Sequence, residues 1–466
     1  MTNDAATTPD PTAVKEAMAY FDRWLEFRQR YLRVPGVQAA VLVDDDIALS
    51  EAYGYADLAT ETPLTTRSLF RVASHSKTFT STATFQLAEQ GGLRIDDRAG
   101  DWVPDLGDSP LAHTTIRELL AHAGGVVRDG ADGDHWQLRH DFPDREQLQA
   151  TIRSAEASIL ERNERFKYSN IGYGLLGLVL EAASGISYDE LLRRNVIEPL
   201  NLRNTGTELD PARASEYASG YSALAYADKR TPIEHIDTHA LASATGFYST
   251  ACDMVTYFAA HFMGDDRLLG DQSKRQMQHP VWETGRGGKH YAHGLAVCQI
   301  GDRTMIGHGG GYPGHITTSF ADPTGRIAVS VLTNAIDGPS EQLAQAGVRL
   351  LDLAASGEHD GGPDLARFTG RFATLWGVAD VALLGGRLYL IIPTAPDPTE
   401  DIIRLEVVDE STLRIVETPG FGSYGERVKY DFAADGSVRS VRGPSATTAS
   451  PIESFALPDV VRVPPR

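Results

Sequence analysis

At Gly357-Glu358-His359-Asp360-Gly361-Gly362-Pro363 the texture of the chain changes, and that break limits what its 466 residues can fold into. A run of glycine, proline and acidic residues reads as a linker, residues 357–363. Beyond it lie only short β-rich runs, at 381–384, 387–392, 402–408, 412–417, 428–432 and 437–441, with turn signals such as Gly385-Gly386 and Asp435-Gly436 between them. This spacing predicts an antiparallel β-barrel or sandwich over 364–466. Before the linker, helical and strand patterns mix, which predicts a larger α/β (mixed α+β) unit over 12–356, preceded by a loose polar stretch at 1–11.

Within the larger unit, Val14, Met18, Phe21, Leu25 and Phe27 fall near a helical period over 11–31. Two β-rich runs, 37–42 and 47–55, flank Asp44-Asp45-Asp46 and predict a hairpin. A helix over 77–90 stops at Gly91-Gly92. Thr115-Ile116-Arg117-Glu118 is a capping box opening 115–122. Further helices are predicted at 171–183, 188–196 and 342–353, with another starting at Thr250. Strands are predicted at 304–306, 316–320 and 327–332.

Composition narrows the function. With 43 Lys+Arg against 63 Asp+Glu, the net charge is −20. That disfavours nucleic acid or an anionic membrane as partner, since phosphate binding needs concentrated positive charge. Cys252 and Cys298 are too few for a disulfide framework and offer no zinc spacing. The first ten residues carry Asp4 and Asp10 and no cation, the reverse of a secretory signal, and the best uncharged apolar run, 171–180, is far short of a bilayer span. A cytoplasmic location is the expectation. His235 and His239 have zinc-helix spacing but lack the glutamate of His-Glu-x-x-His and a third ligand, so no metal and no cofactor is expected.

Chemistry concentrates in three motifs. Ser74-His75-Ser76-Lys77 puts a serine and a lysine three apart, adjacent on one helical face. Serine needs a neighbouring base to become a nucleophile. Lysine can be that base if desolvation or a second cation lowers its pKa. Tyr168-Ser169-Asn170 precedes a helix; beside a cation, a tyrosine of lowered pKa shuttles protons, and an asparagine binds amides. An ordinary turn and N-cap explains the same residues. Gly307-His308-Gly309-Gly310-Gly311 follows a strand, where glycines let a substrate approach a strand edge and His308 titrates near neutrality at the rim. A plain glycine turn is the alternative, and no Gly-Lys-Ser/Thr makes it a phosphate loop.

In this order the three motifs resemble the serine β-lactamase and penicillin-binding protein superfamily, above all its class C-like branch of D-aminopeptidases, D-Ala-D-Ala carboxypeptidases and esterases. Val34-Pro35-Gly36-Val37, Leu69-Phe70-Arg71-Val72-Ala73-Ser74, Leu119-Leu120-Ala121-His122, Ser243-Ala244-Thr245-Gly246 and Asp322-Pro323-Thr324-Gly325 also look like its framework. The resemblance covers about residues 15–355; the tail resembles the lipocalin-like β-domain of some members.

The resemblance implies an antiparallel sheet flanked by helices, an all-helical lobe, and a cleft between sheet and lobe. It assigns Ser74 as nucleophile, Lys77 as its base, Tyr168 as proton relay, and Asn170 as holder of the substrate amide. His308 stands where β-lactamases usually have lysine. Gly309, Gly310 and Gly311 line the substrate strand, with the N–H groups of Ser74 and Gly311 as oxyanion hole. The implied activity is a serine hydrolase acting through an acyl-enzyme on small-molecule or peptide substrates, D-configured amides first and esters next. A β-lactamase, an acyltransferase or peptide-cyclising thioesterase, and a non-catalytic sensor use the same residues. Two departures stand out: histidine at 308 weakens a fixed cation for a β-lactam carboxylate, and Arg162-Asn163 replaces a usual Pro-Gly, where Asn tolerates left-handed angles. His75, usually apolar, has no assigned role. His122 reads as a hydrogen-bonded structural histidine.

Overall fold

The computed structural model describes residues 10–285, 287–357, 364–420 and 422–457. Contacts divide the chain into two compact units, 33–344 and 9–32 with 345–466. In the first, a nine-stranded sheet runs in the order Thr62–Pro63, Asp46–Asp57, Gly36–Val43, Ile327–Thr333, His315–Asp322, Arg303–Tyr312, Ala296–Ile300, His290–Tyr291, Trp282–Glu283. Every pairing is antiparallel. The predicted hairpin forms around Asp44, whose φ of +55° makes the turn. Gly36–Val43 and Ile327–Thr333 are buried at every position, because the sheet is covered on both faces at its centre. The helix Ala251–Ala259 packs across these two strands.

The helix Ser76–Glu89 is buried from Ser76 to Leu87, so its polar residues must find partners inside. They find them on their own backbone: Thr80, Thr82 and Thr84 each donate to the carbonyl four residues back, at 3.0, 3.0 and 2.8 Å. The helical lobe gathers around Asn170–Ser184, which Arg145–Arg153 and Ile116–Leu120 flank. Thr115 and Glu118 form the predicted capping box. Asn163 adopts φ +62°, the left-handed turn its side chain tolerates, and Nδ2 donates to Glu118 Oε1 at 2.6 Å.

Of the two readings of the glycine run, strand edge and plain turn, the second falls away. The glycine run is no turn: Arg303–Tyr312 is one strand through Gly307–Gly311, paired with His315–Asp322 from Ile306↔Ala321 to Tyr312↔His315. The turn falls instead at Pro313-Gly314, where Gly314 has φ +90°. Glycine is needed in the strand for closeness. A β-carbon on Gly307 would lie 2.0 Å from Ser319 O, and one on Gly310 would lie 2.2 Å from Val72 O.

In the second unit, eight antiparallel strands close a barrel from Gly370–Thr374 to Thr448–Pro451. All six sequence-predicted strands are present, and these two closing strands are additional. They escape a hydrophobic reading because one carries a half-buried Arg371, held by Asp380 at 2.7 and 2.8 Å, and the other is Thr-Ala-Ser-Pro. Phe372, Leu388, Leu405, Leu413, Ile415, Val428 and Tyr430 fill the interior. The helix Pro11–Tyr31 has the predicted bounds but groups with the barrel, not with residues 33–344. Its Glu16 accepts from Gly386 N at 3.0 Å, Tyr20 donates to Asp380 at 3.0 Å and Arg28 donates to Thr394 O at 2.5 Å. The linker expected at 357–363 and the stretch at 1–11 lie mostly outside the described residues. Among those residues, no single helix is long and apolar enough to cross a membrane.

Gly307→Ala is expected to cost about 2–3 kcal/mol through the clash with Ser319 O. Gly309→Ala, whose β-carbon would meet nothing nearer than Thr317 O at 3.7 Å, should stay within about 1 kcal/mol of the parent. Urea unfolding midpoints of the two variants check this contrast.

Candidate active site

Ser74 lies in the single 3-10 turn Ala73–His75, which runs directly into the helix Ser76–Glu89. Ala73 is fully buried at φ +47°, a conformation its β-carbon resists at about 1–3 kcal/mol. Its carbonyl is held by Ser76 Oγ at 2.6 Å. His75, which the sequence left without a role, ties this turn to the sheet. Nδ1 donates to Val72 O at 2.8 Å and Nε2 meets Ser319 Oγ at 3.1 Å, itself 2.9 Å from Ser330 Oγ.

One helical turn on, Lys77 is completely buried. Its Nζ donates to Ala244 O at 2.7 Å and Asn170 Oδ1 at 2.8 Å, and stands 3.3 Å from Ser74 Oγ. Tyr168 OH donates to Ser74 Oγ at 2.8 Å. Asn170 begins the helix Asn170–Ser184, capped by Ser169, whose Oγ accepts from Gly172 N at 2.8 Å. The N-cap reading of Tyr168-Ser169-Asn170 is thus filled by Ser169, while Tyr168 faces Ser74 and Asn170 faces Lys77. Asn170 Nδ2 donates to Asp129 Oδ1 at 2.6 Å. Because a carboxylate only accepts, Asp129 fixes the amide so that its carbonyl faces Lys77.

Burial pushes Lys77 well below the ordinary lysine value; Asp129 pulls it back up and Arg128 pushes it further down. Burial also drives Tyr168 up to about 12, although Ser74 and Arg128 act in the opposite direction. The expected lowering of this phenol is thus corrected: desolvation outweighs the Ser74 hydrogen bond and Arg128. His308 is corrected as well. It is buried rather than at the rim, and burial, with Lys77 and His75 nearby, drives it down to about 3. Its Nδ1 faces Gly309 O at 2.6 Å and its Nε2 faces Tyr291 OH at 3.2 Å.

The glycine strand completes the cleft. Along Arg303–Tyr312, the strand Ala296–Ile300 reaches only from Arg303 to Gly307, so His308, Gly309, Gly310 and Gly311 are paired on the His315–Asp322 side and leave the other edge open. Gly309 and Gly311 are exposed there, while Gly310 presses against Val72, two residues before Ser74.

Sequence reasoning missed Asp129, Arg128, Tyr291 and the carbonyl of Ala244. Arg128 and Asp129 sit on a loop whose course no periodicity encodes, and Tyr291 on a two-residue strand too short to show a period. His122 is hydrogen-bonded as expected, its Nδ1 accepting from Ser169 N at 3.2 Å, and its ring lies 4.3 Å from Tyr168 and 4.8 Å from Tyr291. His235 and His239 do not share a helix. His235 Nε2 meets Ala218 O at 3.0 Å, and His239 pairs with Asp237 at 3.3 Å.

Residues 21–353 match the Beta-lactamase family model. A penicillin-binding protein of Bacillus subtilis is 28% identical over 284 residues, 58% of this chain; the chain spans 62% of that relative's length. The octameric penicillin-binding protein homologue from Pyrococcus abyssi superposes with a TM-score of 0.65 at 20% identity, over 93% of this chain and 99% of its own. The D-stereospecific amidohydrolase from Streptomyces sp. gives 0.59 at 23% identity, over 73% and 98%. At those identities the structural likeness establishes the fold. The family match takes in more than half the chain, including Ser74, Lys77, Tyr168, Asn170 and His308: the chain belongs to the Beta-lactamase family.

Proposed function

We propose that this chain hydrolyses amides or peptides containing D-amino acids, and esters secondarily, through an acyl-enzyme on Ser74. The observation that carries this reading is Ser74 Oγ held between Lys77 Nζ at 3.3 Å and Tyr168 OH at 2.8 Å. A neutral lysine has two N–H groups and one lone pair. The two N–H groups match Ala244 O and Asn170 Oδ1, which leaves the lone pair for the Ser74 hydroxyl proton. Burial favours that neutral form.

Ser74 then attacks the carbonyl carbon as its proton passes to Lys77. The N–H groups of Ser74 and Gly311 receive the developing oxyanion. Tyr168, a phenol at neutral pH, donates its proton to the departing nitrogen or oxygen and is reprotonated from Lys77. Water repeats the sequence in reverse and releases the acid. The open strand edge at Gly309–Gly311 suits an extended substrate backbone, and the likeness to a D-stereospecific amidohydrolase supports D-configured amides. A neutral His308 with both nitrogens engaged offers a substrate carboxylate no charge at that position.

Ser74→Ala should lower turnover of D-aminoacyl amides by about a thousandfold or more while leaving the fold intact. Intact-mass spectrometry after a fluorophosphonate should find the adduct on the parent and none on the variant. Full hydrolysis by Ser74→Ala would sink the assignment, and a persistent adduct with no turnover of any amide or ester would make the protein a sensor.

The acid limb of the pH–rate profile should report Lys77, with activity lost as pH falls through its lowered pKa and the amine charges. Asp129 raises that pKa, so Asp129→Asn should move the limb to lower pH. A limb that stays put or moves upward would exclude Lys77 as the base.

A further inference from the structure

A site that captures substrates bearing a carboxylate needs a cation, and position 308 does not supply one. His308 spends one nitrogen on Gly309 O and the other on Tyr291 OH. Lys77 is buried and engaged by Ala244, Asn170 and Ser74. A guanidinium does stand at the mouth of the cleft. Arg128 rests over the Tyr168 ring, its Cζ 5.0 Å from the centroid, and its side chain is 60% exposed. Of its five N–H groups, one on Nε is used, donating to Asp129 Oδ2 at 3.2 Å; the terminal four have no protein partner among the described residues.

Its backbone is fixed. Arg128 O accepts from Asn170 N at 2.8 Å and Ile171 N at 3.2 Å, and the flanking Val127 O accepts from Ser169 Oγ at 2.7 Å. Asp129 is anchored in turn by Asn170 and by Trp136 Nε1 at 3.0 Å. The guanidinium is therefore held by its Nε side against the ring, with its terminal fork unspent. That fork is the geometry that binds a carboxylate through two parallel hydrogen bonds.

The side of the cleft follows from Tyr168. If its hydroxyl serves the leaving atom, a cation stacked on its ring lies on the leaving-group side. In an amino-acid leaving group the carboxylate carbon is two bonds from the departing nitrogen, about 2.5 Å away. We propose that Arg128 is a specificity-determining residue that binds a carboxylate on the leaving group, replacing the missing cation at position 308. This rests on the Ser74 acyl-enzyme reading and narrows its substrates to amides whose leaving group is an amino acid with a free carboxylate.

The test measures how well acetyl-D-alanyl-D-alanine and its C-terminal amide slow labelling of Ser74 by an uncharged fluorophosphonate. On the parent protein, the free acid should protect at concentrations at least about tenfold lower than the amide, a typical worth for a charge-assisted pair. In Arg128→Gln the two should protect within about twofold of each other, and Arg128→Lys should keep part of the preference. Because each result is a ratio within one protein, a general loss of reactivity cannot imitate it. Circular dichroism melting shows that each variant is folded, and Arg128→Met serves in place of a glutamine variant that is not. No acid preference in the parent, or one that survives in Arg128→Gln and Arg128→Met, would overturn the proposal. Absence of any Ser74 labelling in the parent would instead overturn the nucleophile reading, and this proposal with it.

Discussion

A fully buried lysine amine has few places where it can exist, and the position of Lys77 organises the catalytic unit. Its Nζ is satisfied by a carbonyl from the segment 242–246 and by the amide oxygen of Asn170 at the start of the lobe helix. These partners come from elements more than ninety residues away from Lys77 in sequence. Removing either would strand a polar group without water, at a cost of about 1–3 kcal/mol. The packing that docks the helical lobe against the helix Ser76–Glu89 is thus also what buries Lys77, and burial is what lowers its pKa. Packing and chemistry cannot be tuned separately here.

The same economy governs charge. Close to Ser74 the titratable groups are kept neutral by burial: His75 is driven down to about 4, His308 to about 3, and His122 well below its ordinary value. The full charges, Arg128 and Asp129, stand one layer out, paired with each other at the mouth. Seen from Lys77 they oppose one another, one lowering and one raising its pKa. Burial is the largest influence on Lys77 and sets the direction of its shift, while Arg128 stays exposed at the mouth.

Much of this was legible in the sequence, for identifiable reasons. The helix 11–31, the Thr115 capping box, the Asp44 turn and the left-handed Asn163 follow from local chemistry, which needs no tertiary context. Helical spacing pairs Ser74 with Lys77, whereas Tyr168 and Asn170 join them only through the resemblance of three motifs in one order. The environment of His308 could not be read, because its neutrality depends on Tyr291 and on burial by strands remote in sequence. Arg128 and Asp129 lie in the loop 126–141, which shows as a loop but whose path depends on bonds to Asn170, Trp136 and Ala157. The helix Pro11–Tyr31 had the right bounds and a different home, since nothing in its period says that Tyr20 would meet Asp380.

The reading of the glycine run shows where such local arguments end. Five residues in which four are glycine look like a turn, because glycine is usually kept for positive φ. Here the strand is regular and the glycines answer to space. Gly307 admits Ser319 and Gly310 admits Val72, the residue whose carbonyl also accepts from His75. The left-handed Ala73 follows directly, so the strand presses on the strained segment that carries Ser74. His75 then pins that segment from the sheet side through Ser319. A larger residue at 310 would push on Val72 and so on Ser74, which makes the missing side chain at 310 as much a part of the nucleophile's geometry as Lys77 is.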